Sequence, residues 1–244
     1  TDGHILPEVE ALGITEDTVV CSSTDNGPDY NTGPVAVHTL FRAEKNTNWE
    51  GGYRVPAFVR WPGKIEKGSV SNEIMSHLDW VPTLTSAAGI KDIKKKLKKG
   101  HRAGTKRFRA HLDGYNFLPH LTGKAGKGPR REFMYFSDDG LLVGVRVGDW
   151  KTVFAEQRGH RFDVWREPFV FLRIPKLFHL RRDPYERADT DSNMYNEWWI
   201  DRIPRVFEAI EVVQRFLGTM REFPPSQAPT SYNMEDIFGG IMQR

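Results

Sequence analysis

Two short segments rich in β-branched and apolar residues, 18–24 and 55–61, flank a stretch that has neither helical nor strand periodicity. Segments of this length and composition favour buried β-strands. The stretch between them is rich in Gly, Asn and Thr, so we interpret residues 29–52 as one long loop. Because a long loop inside a compact domain is usually functional, we expect the chemistry of this chain to lie between these two strands.

The rest of the chain divides into a helical part and a strand-rich part. Asp79 precedes a short helical pattern and is interpreted as its N-cap, and a Gly-rich stretch then places a boundary near residue 129. Turn residues separate the apolar segments that follow, which predicts antiparallel strands at 132–137, 142–147, 150–155 and 176–180. A helical stretch over 191–221, interrupted at Pro204, is predicted to close the chain, with Trp198 and Trp199 in its core.

This order of elements predicts two domains and no internal repeat. Residues 1–128 are expected to form an α/β body with a mixed sheet and helices. Residues 129–244 are expected to form a smaller α+β subdomain, in which an antiparallel sheet packs on a long helix.

The composition excludes some classes of protein. Hydrophobic residues make up 39% of the chain and charged residues 27%, as in a folded globular protein. No run of about 18 apolar residues occurs, so no membrane span is expected. The single cysteine, Cys21, permits no internal disulfide and is expected to be a small buried hydrophobe within its strand.

A basic segment interrupts the first domain. Residues 91–109 contain ten Lys or Arg and only one acidic residue, Asp92, a local charge of +9 in a chain of net charge +3. We interpret this segment as a solvated loop, and binding of a polyanion is the alternative. Nucleic acid is not expected as a partner, because Phe108 is the single aromatic residue among these charges.

Asp25 and Asn26 follow the first predicted strand and precede Gly27 and Pro28. A carboxylate next to an amide oxygen is a partial ligand set for Ca²⁺ or Mg²⁺, both of which prefer oxygen donors. Two ligands do not fill the coordination shell, however, and Asp-Asn-Gly is also a common turn sequence. These residues by themselves therefore favour an Asx turn over a metal site.

The residues that follow resemble the sulfatase branch of the alkaline phosphatase superfamily. In that family a strand ends in Asp-Asn-Gly, and about twenty residues later a lysine precedes a Glu-Gly-Gly-x-Arg-x-Pro element. Here Lys45 follows Asp25 by 20 positions and precedes the sequence EGGYRVP at residues 50–56. The likeness is especially close to bacterial arylsulfatases over residues 44–65.

The resemblance continues through nearly the whole chain. The matching segments are residues 76–83 (SHLDWVPT), 113–123 (DG with LTG), 146–151 (RVGDWK), 177–180 (LFHL) and 183–186 (DPYE). We interpret these later motifs as scaffold that supplies helix caps, hairpin turns and buried aromatic residues. The resemblance implies that the first domain is part of the sulfatase central mixed sheet.

The resemblance also implies a function and its site. Asp25 and Asn26 would be ligands of the active-site Ca²⁺ or Mg²⁺, and Lys45 would bind a sulfate oxygen and stabilise the leaving group. The substrate would be a small sulfate ester. Glu50 and Arg54 are expected to pair and hold the loop, while His38 and His77 are not expected to be catalytic.

The nucleophile of the family is a formylglycine made from cysteine in Cys-x-[Pro/Ala]-x-Arg. Cys21 is followed by SSTD and does not match this motif, so it is rejected as the nucleophile. We therefore expect a C-terminal portion of an arylsulfatase whose formylglycine lies in a missing N-terminal half, and a chain that is inactive alone. Its compartment stays open, with the bacterial periplasm or cytoplasm as the candidates.

The sequence departs from the family pattern at one place, and two alternative functions are also compatible with it. Leu40 and Ala43 stand where the family has Pro and Gly, which leaves the path of the loop before Lys45 and the substrate preference open. A phosphonate or phosphodiester hydrolase of the same superfamily is the first alternative. A non-catalytic remnant that binds a polyanion through residues 91–109 is the second.

Overall fold

The computed structural model describes residues 2–30 and 39–225, and the chain forms two compact units. The first unit comprises Thr1–Asp25 and Val55–Arg131, and the second comprises Asn26–Arg54 and Glu132–Arg244. Each unit therefore contains two separate stretches of the chain, and the long loop between the first two strands belongs to the second unit.

The first unit contains short helices and two small antiparallel sheets. In chain order its elements are α1 (Asp2–Ala11), β1 (Val20–Ser23), β2 (Ala57–Arg60), α3 (Trp80–Ala87), α4 (Ile93–Lys99), β3 (His101–Ala103), β4 (Lys106–Phe108) and α5 (Leu118–Leu121). Strand β1 pairs with β2, and β3 pairs with β4 as a hairpin.

Strands β1 and β2 form where the sequence predicts strands, but they are not buried. They pair antiparallel, with Cys21 opposite Val59 and Ser22 opposite Phe58. Cys21 is exposed, and 70% of the surface of Phe58 is accessible. The expectation of a buried cysteine is thus wrong, because a two-stranded sheet does not cover the face of β1 on which the thiol lies.

Asp79 acts as a buried ion-pair partner and not as the helix cap that the sequence predicts. It makes no capping hydrogen bond to α3, although it directly precedes that helix. Its carboxylate instead accepts bonds from the backbone N–H groups of Ser76 (2.8 Å) and Tyr115 (2.6 Å). Arg130 binds the same carboxylate through Nε (2.9 Å) and Nη2 (2.6 Å), which joins three separate segments of the first unit.

The second unit is built on a four-stranded antiparallel sheet. Its elements are α2 (Glu50–Tyr53), β5 (Glu132–Phe136), β6 (Leu142–Val147), β7 (Trp150–Glu156), β8 (Val170–His179), α6 (Ala188–Asp191), α7 (Tyr195–Ile200) and α8 (Ile203–Glu222). The strand order is β5-β6-β7-β8, so each strand pairs with its neighbour in the chain. Val145 of β6 packs on Ala209 and Val212 of α8, which confirms the predicted packing of an antiparallel sheet on a long helix.

The end of the described chain differs in detail from the prediction. The predicted interruption near Pro204 is present, since α7 ends at Ile200 and α8 begins at Ile203; Pro204 lies in the first turn of α8, where its missing N–H is not needed. Trp198 and Trp199 belong to α7 and not to the last helix. Trp198 stacks on Trp150 at 5.8 Å between ring centroids.

No described helix has the length and apolar character needed to cross a membrane.

We predict that Asp79→Ala lowers the free energy of unfolding by about 3–5 kcal/mol, because it leaves the guanidinium of Arg130 buried without its partner. Urea denaturation followed by circular dichroism measures this change. Glu10→Ala is the matched control: it removes an ion pair of 2.8 Å with Arg60 that is open to solvent, and should cost at most about 1 kcal/mol. Equal losses for the two variants would contradict the role assigned to the buried pair.

Candidate active site

The turn at Asp25-Asn26-Gly27 follows β1 directly, as the sequence predicts. Asp25 ends the first stretch of the first unit, and Asn26 begins the second unit. Asp25 is exposed and Asn26 is half-buried, and the Asn26 side-chain amide donates a bond of 2.8 Å to the Gly27 carbonyl. The two side chains therefore belong to consecutive residues of one bend in the chain.

Backbone hydrogen bonds connect this turn to the segment that carries Lys45. The Lys45 N–H donates to the Pro28 carbonyl at 2.9 Å, and the Gly27 N–H donates to the Gly52 carbonyl at 2.9 Å. The chains approach so closely that a Cβ on Gly27 would lie 1.8 Å from the Gly51 carbonyl oxygen. Glycine is required here for space, and Asn26 and Lys45 are thereby held in one cluster of the second unit.

The donor set of this turn fits a hard divalent cation but does not complete its shell. Asp25 and Asn26 supply a carboxylate and an amide, the oxygen ligands that Ca²⁺ and Mg²⁺ prefer. Within residues 2–30 and 39–225, no group of three or more His, Cys, Asp or Glu side chains is arranged to hold a metal ion. The pair is thus compatible with a partial site.

Lys45 presents a cation at the surface of the second unit. The residue is half-buried, and its Nζ lies 5.7 Å from the centre of the Trp165 ring. In the described part of the chain, no carboxylate forms an ion pair with this ammonium group. Its charge is therefore not neutralised by a described side chain and can interact with an anion.

The residues on either side of Lys45 are buried or bound. Glu44 is buried, and its carboxylate accepts bonds from the N–H groups of Tyr30 (3.1 Å) and Arg161 (2.7 Å). Asn46 has a left-handed backbone with a φ of 61°, and its side chain donates to the Val164 carbonyl at 2.6 Å. These contacts fix the backbone on both sides of Lys45.

A buried network of charges lies below this segment. The Lys151 ammonium is fully buried and contacts the carboxylates of Glu50 at 3.2 Å and Glu186 at 2.7 Å. It also donates to the Asn48 carbonyl at 2.7 Å. The Glu186 carboxylate accepts the N–H of Glu50 at 2.7 Å, so three motifs that are distant in sequence meet at one point.

Glu50 is held in its ionised form within this network. Burial disfavours its charged form, but the Lys151 charge and the hydrogen bonds from Arg54 and Tyr135 outweigh that effect and lower the pKa of Glu50 from 4.5 to about 2. Arg54 donates to it at 2.6 Å, which confirms the predicted Glu50–Arg54 pair. Burial raises the pKa of Glu186, and the nearby negative charge of Glu50 adds to that effect.

The departure from the family pattern at Ala43 has a structural counterpart. Ala43 has a φ of 59°, a left-handed conformation that glycine adopts without steric cost. The backbone at residue 43 thus adopts the left-handed conformation that the glycine of the family pattern favours. Leu40 is exposed, whereas residues 33–38 of the same departure, including His38, lie outside the described residues.

The remaining histidine candidate is part of the first unit. His77 is exposed, and its Nε2 lies 3.1 Å from the Thr24 carbonyl oxygen. This contact holds the end of β1 and gives His77 a structural role.

The sequence patterns did not predict the contacts that Lys151, Glu186 and Trp165 make around this site. The first two lie in motifs interpreted as scaffold for caps, turns and aromatic packing, yet they form the buried charge network. A lysine and a glutamate inside otherwise apolar or turn-forming segments were the available signal. Trp165 carries no sequence signal, because it lies in a part of the chain without a motif.

Comparison with known proteins places this geometry in a family. Residues 3–90 match the family model described as Sulfatase. The chain is 30% identical over 241 residues to arylsulfatase A of Bos taurus, which covers 92% of this chain and 43% of that protein. It is 27% identical over 234 residues to N-acetylgalactosamine-6-sulfatase of Canis lupus familiaris, with 88% of this chain and 41% of that protein covered. The chain therefore spans less than half the length of these curated relatives.

Solved structures confirm the fold class. The PsFucS1 sulfatase from Pseudoalteromonas sp. matches with a TM-score of 0.73 at 24% identity, over 93% of this chain and 42% of that one. Ps i-CgsB in complex with k-i-k-neocarrahexaose matches with a TM-score of 0.61 at 18% identity, over 99% of this chain and 45% of that one. At these identities the likeness concerns the fold alone.

We predict that Glu50→Gln lowers the free energy of unfolding at pH 7 by about 2–4 kcal/mol, because Lys151 loses an ionised partner. Glu208→Gln is the matched control: it weakens an exposed ion pair with Arg205 in α8 and should cost at most about 1 kcal/mol. Urea denaturation measures both changes, and equal losses would contradict the role assigned to the buried pair.

The pH dependence of the Glu50 effect has a defined sign. Its pKa is lower in the folded state, so its contribution is complete above 4.5 and is lost as the pH falls towards about 2. The stability difference between the wild type and Glu50→Gln should therefore shrink over this range. A difference that grew on acidification would contradict the assignment.

Proposed function

Because the chain belongs to the sulfatase family, we propose that this protein is the C-terminal portion of a metal-dependent sulfuric ester hydrolase of the bacterial arylsulfatase type. The observation that carries this proposal is the short connection between Asn26 and Lys45. One backbone hydrogen bond of 2.9 Å joins Lys45 to Pro28, two residues after Asn26, so this predicted metal ligand and the predicted substrate lysine belong to one cluster of the second unit. The curated relatives named arylsulfatase A and N-acetylgalactosamine-6-sulfatase support the same class of reaction.

The chemistry of sulfate ester cleavage fits these residues. Breaking the S–O bond places negative charge on the sulfate oxygens and on the leaving oxygen. The Lys45 ammonium binds a sulfate oxygen and stabilises the leaving oxygen, since no described carboxylate neutralises it. Asp25 and Asn26 hold Ca²⁺ or Mg²⁺, and such a cation supplies electrostatic stabilisation of the same charge.

The nucleophile lies outside these 244 residues in this proposal. Cys21 lacks the Pro or Ala and the Arg that the formylglycine motif requires. The relatives extend over more than twice the length matched here, which leaves room for a segment that contains the motif. The chain alone is therefore expected to have no turnover.

A phosphonate or phosphodiester hydrolase of the same superfamily is the alternative within this class of chemistry. Phosphate and sulfate esters place similar negative charge on a metal ion and a lysine, so the described residues fit both. Relative rates on an aryl sulfate, an aryl phosphonate monoester and a phosphodiester distinguish the two activities.

We predict that Lys45→Ala lowers kcat for 4-nitrophenyl sulfate by roughly 10²–10³-fold, because it removes one group that stabilises the charge of the transition state. The assay uses the native polypeptide together with the segment that carries Cys-x-[Pro/Ala]-x-Arg, identified first by peptide-map mass spectrometry. Lys64→Ala is the control, since Lys64 is an exposed lysine of the first unit.

Three results bear on this proposal. A chelator should abolish turnover, and Ca²⁺ or Mg²⁺ should restore it. Equal activity of Lys45→Ala and Lys64→Ala would refute the assigned role of Lys45. A native product that begins at Thr1 and has no associated peptide with the formylglycine motif would refute the hydrolase itself.

A second candidate function, binding of a polyanion, rests on the surface formed by residues 91–109. Of its ten Lys and Arg residues, all except Lys94 are exposed. Helix α4 and the β3-β4 hairpin present these charges together, and Arg102 lies directly opposite Arg107, a repulsive cross-strand pair. No ion pair with another described residue neutralises the charges from residue 91 to residue 108.

We predict that the chain binds immobilised dextran sulfate with a steep salt dependence, because each ion contact releases a counterion. A variant with Lys95→Gln, Lys96→Gln, Lys98→Gln and Lys99→Gln should elute at lower salt. The matched control changes four other exposed lysines to Gln, with the same loss of net charge, at Lys64, Lys67, Lys124 and Lys127. Equal shifts in the two variants would show that net charge alone, and not this surface, governs retention.

A further inference from the structure

Trp165 is a large aromatic residue that stands at the surface of the second unit beside Lys45. It ends a short 3-10 helix, Arg161–Trp165, in the connection between β7 and β8. Its side chain is 43% exposed, and its ring centre lies 5.7 Å from Lys45 Nζ. Part of the indole is therefore accessible to a ligand.

The position of this helix relative to Lys45 is fixed from both sides. Glu44, the residue before Lys45, accepts the Arg161 N–H at 2.7 Å. Asn46, the residue after Lys45, donates to the Val164 carbonyl at 2.6 Å. Val164 itself is buried, so the helix is also held by its core contact. These contacts therefore hold the indole beside the Lys45 ammonium.

We propose that Trp165 forms the surface on which the ring of the alcohol or phenol half of the substrate stacks, so that the site selects ring-bearing sulfate esters. This inference rests on the proposed function of Lys45. A sulfate oxygen bound to Nζ lies about 2.9 Å from it, and the organic group is attached one ester linkage further on. A ring centre 5.7 Å from the same nitrogen lies within reach of that group.

An alternative hypothesis is that Trp165 only positions Lys45 through a cation–π interaction and does not contact the substrate. The two readings differ in what the removal of the indole does. If Trp165 holds Lys45, every anion loses affinity to the same extent. If Trp165 stacks on the ligand, only ligands with a ring lose affinity.

Phe162 offers a matched control within the same helix. Its side chain is 54% exposed, more than that of Trp165, but the Arg166 guanidinium lies 4.5 Å from the centre of its ring. The cation over the Phe162 ring is thus Arg166 and not the proposed sulfate-binding Lys45. Replacing Phe162 removes a similar aromatic surface without removing the proposed stacking surface.

The experiment is a ligand-observed NMR titration of the 244-residue chain with three monoanions that share one sulfonate group. These probes are methanesulfonate, benzenesulfonate and cyclohexanesulfonate. The wild type should bind a ring-bearing probe about three- to tenfold more tightly than methanesulfonate, the range expected for one aromatic contact. Benzenesulfonate and cyclohexanesulfonate distinguish an aryl ring from a saturated ring.

The variants decide between the readings. Trp165→Ala should reduce the preference for a ring to about onefold, and its affinity for methanesulfonate should stay within about twofold of the wild type. Trp165→Phe should keep part of the preference for a ring, and Phe162→Ala should keep all of it. An equal loss for all three probes in Trp165→Ala would overturn the proposal, as would an absence of ring preference in the wild type. Circular dichroism confirms that each variant is folded.

Lys45→Ala separates this inference from the function on which it rests. It should weaken all three probes, because it removes their common anion contact. If methanesulfonate binding is unchanged in Lys45→Ala, the proposed role of Lys45 fails. If Lys45→Ala weakens binding but Trp165→Ala does not alter the preference for a ring, the stacking surface alone is refuted.

Discussion

The second unit depends on one buried ion-pair network, in which the Lys151 ammonium lies between the carboxylates of Glu50 and Glu186. A charge with no solvent access is costly unless it is paired and hydrogen-bonded. Glu50 meets this requirement by remaining ionised, with a pKa of about 2, while burial and the Glu50 charge raise the pKa of Glu186. Because breaking such a network leaves a buried charge unpaired, it strongly favours one arrangement of the three segments that it joins.

This network explains how a loop without regular structure is held in place. Glu50 begins α2, two residues after the segment of Glu44 to Asn48, so fixing Glu50 restrains the end of that segment. Glu44 and Asn46 then bind the helix that contains Trp165, and the Lys45 backbone binds Pro28. The half-buried side chain of Lys45 is thus attached to a backbone that is fixed on both sides. Electrostatic stabilisation of a transition state benefits from this arrangement, since a preorganised charge needs no reorganisation during the reaction.

Much of the secondary structure could be predicted because its signals are local. The strands β5, β6 and β7 begin at the predicted residues, since turn residues separate short apolar segments there. The Glu50–Arg54 pair also follows from a four-residue spacing within one element. The burial of β1 could not be predicted in the same way, because an apolar composition reports a tendency to be covered and not which element covers it. Asp79 was assigned to a helix cap for a similar reason: its partner Arg130 is remote in sequence.

The sequence by itself determined the identity of the loop residues, the Asp-Asn-Gly turn, and the resemblance that led to the sulfatase family. It also determined that the nucleophile motif is absent at Cys21. Only the tertiary structure decided that the loop packs with the C-terminal sheet, that Lys151 and Glu186 hold it, and that Trp165 stands beside Lys45. The physical reason is that a motif records local backbone requirements, whereas the partner of a buried charge or an exposed ring is set by packing between segments more than 100 residues apart.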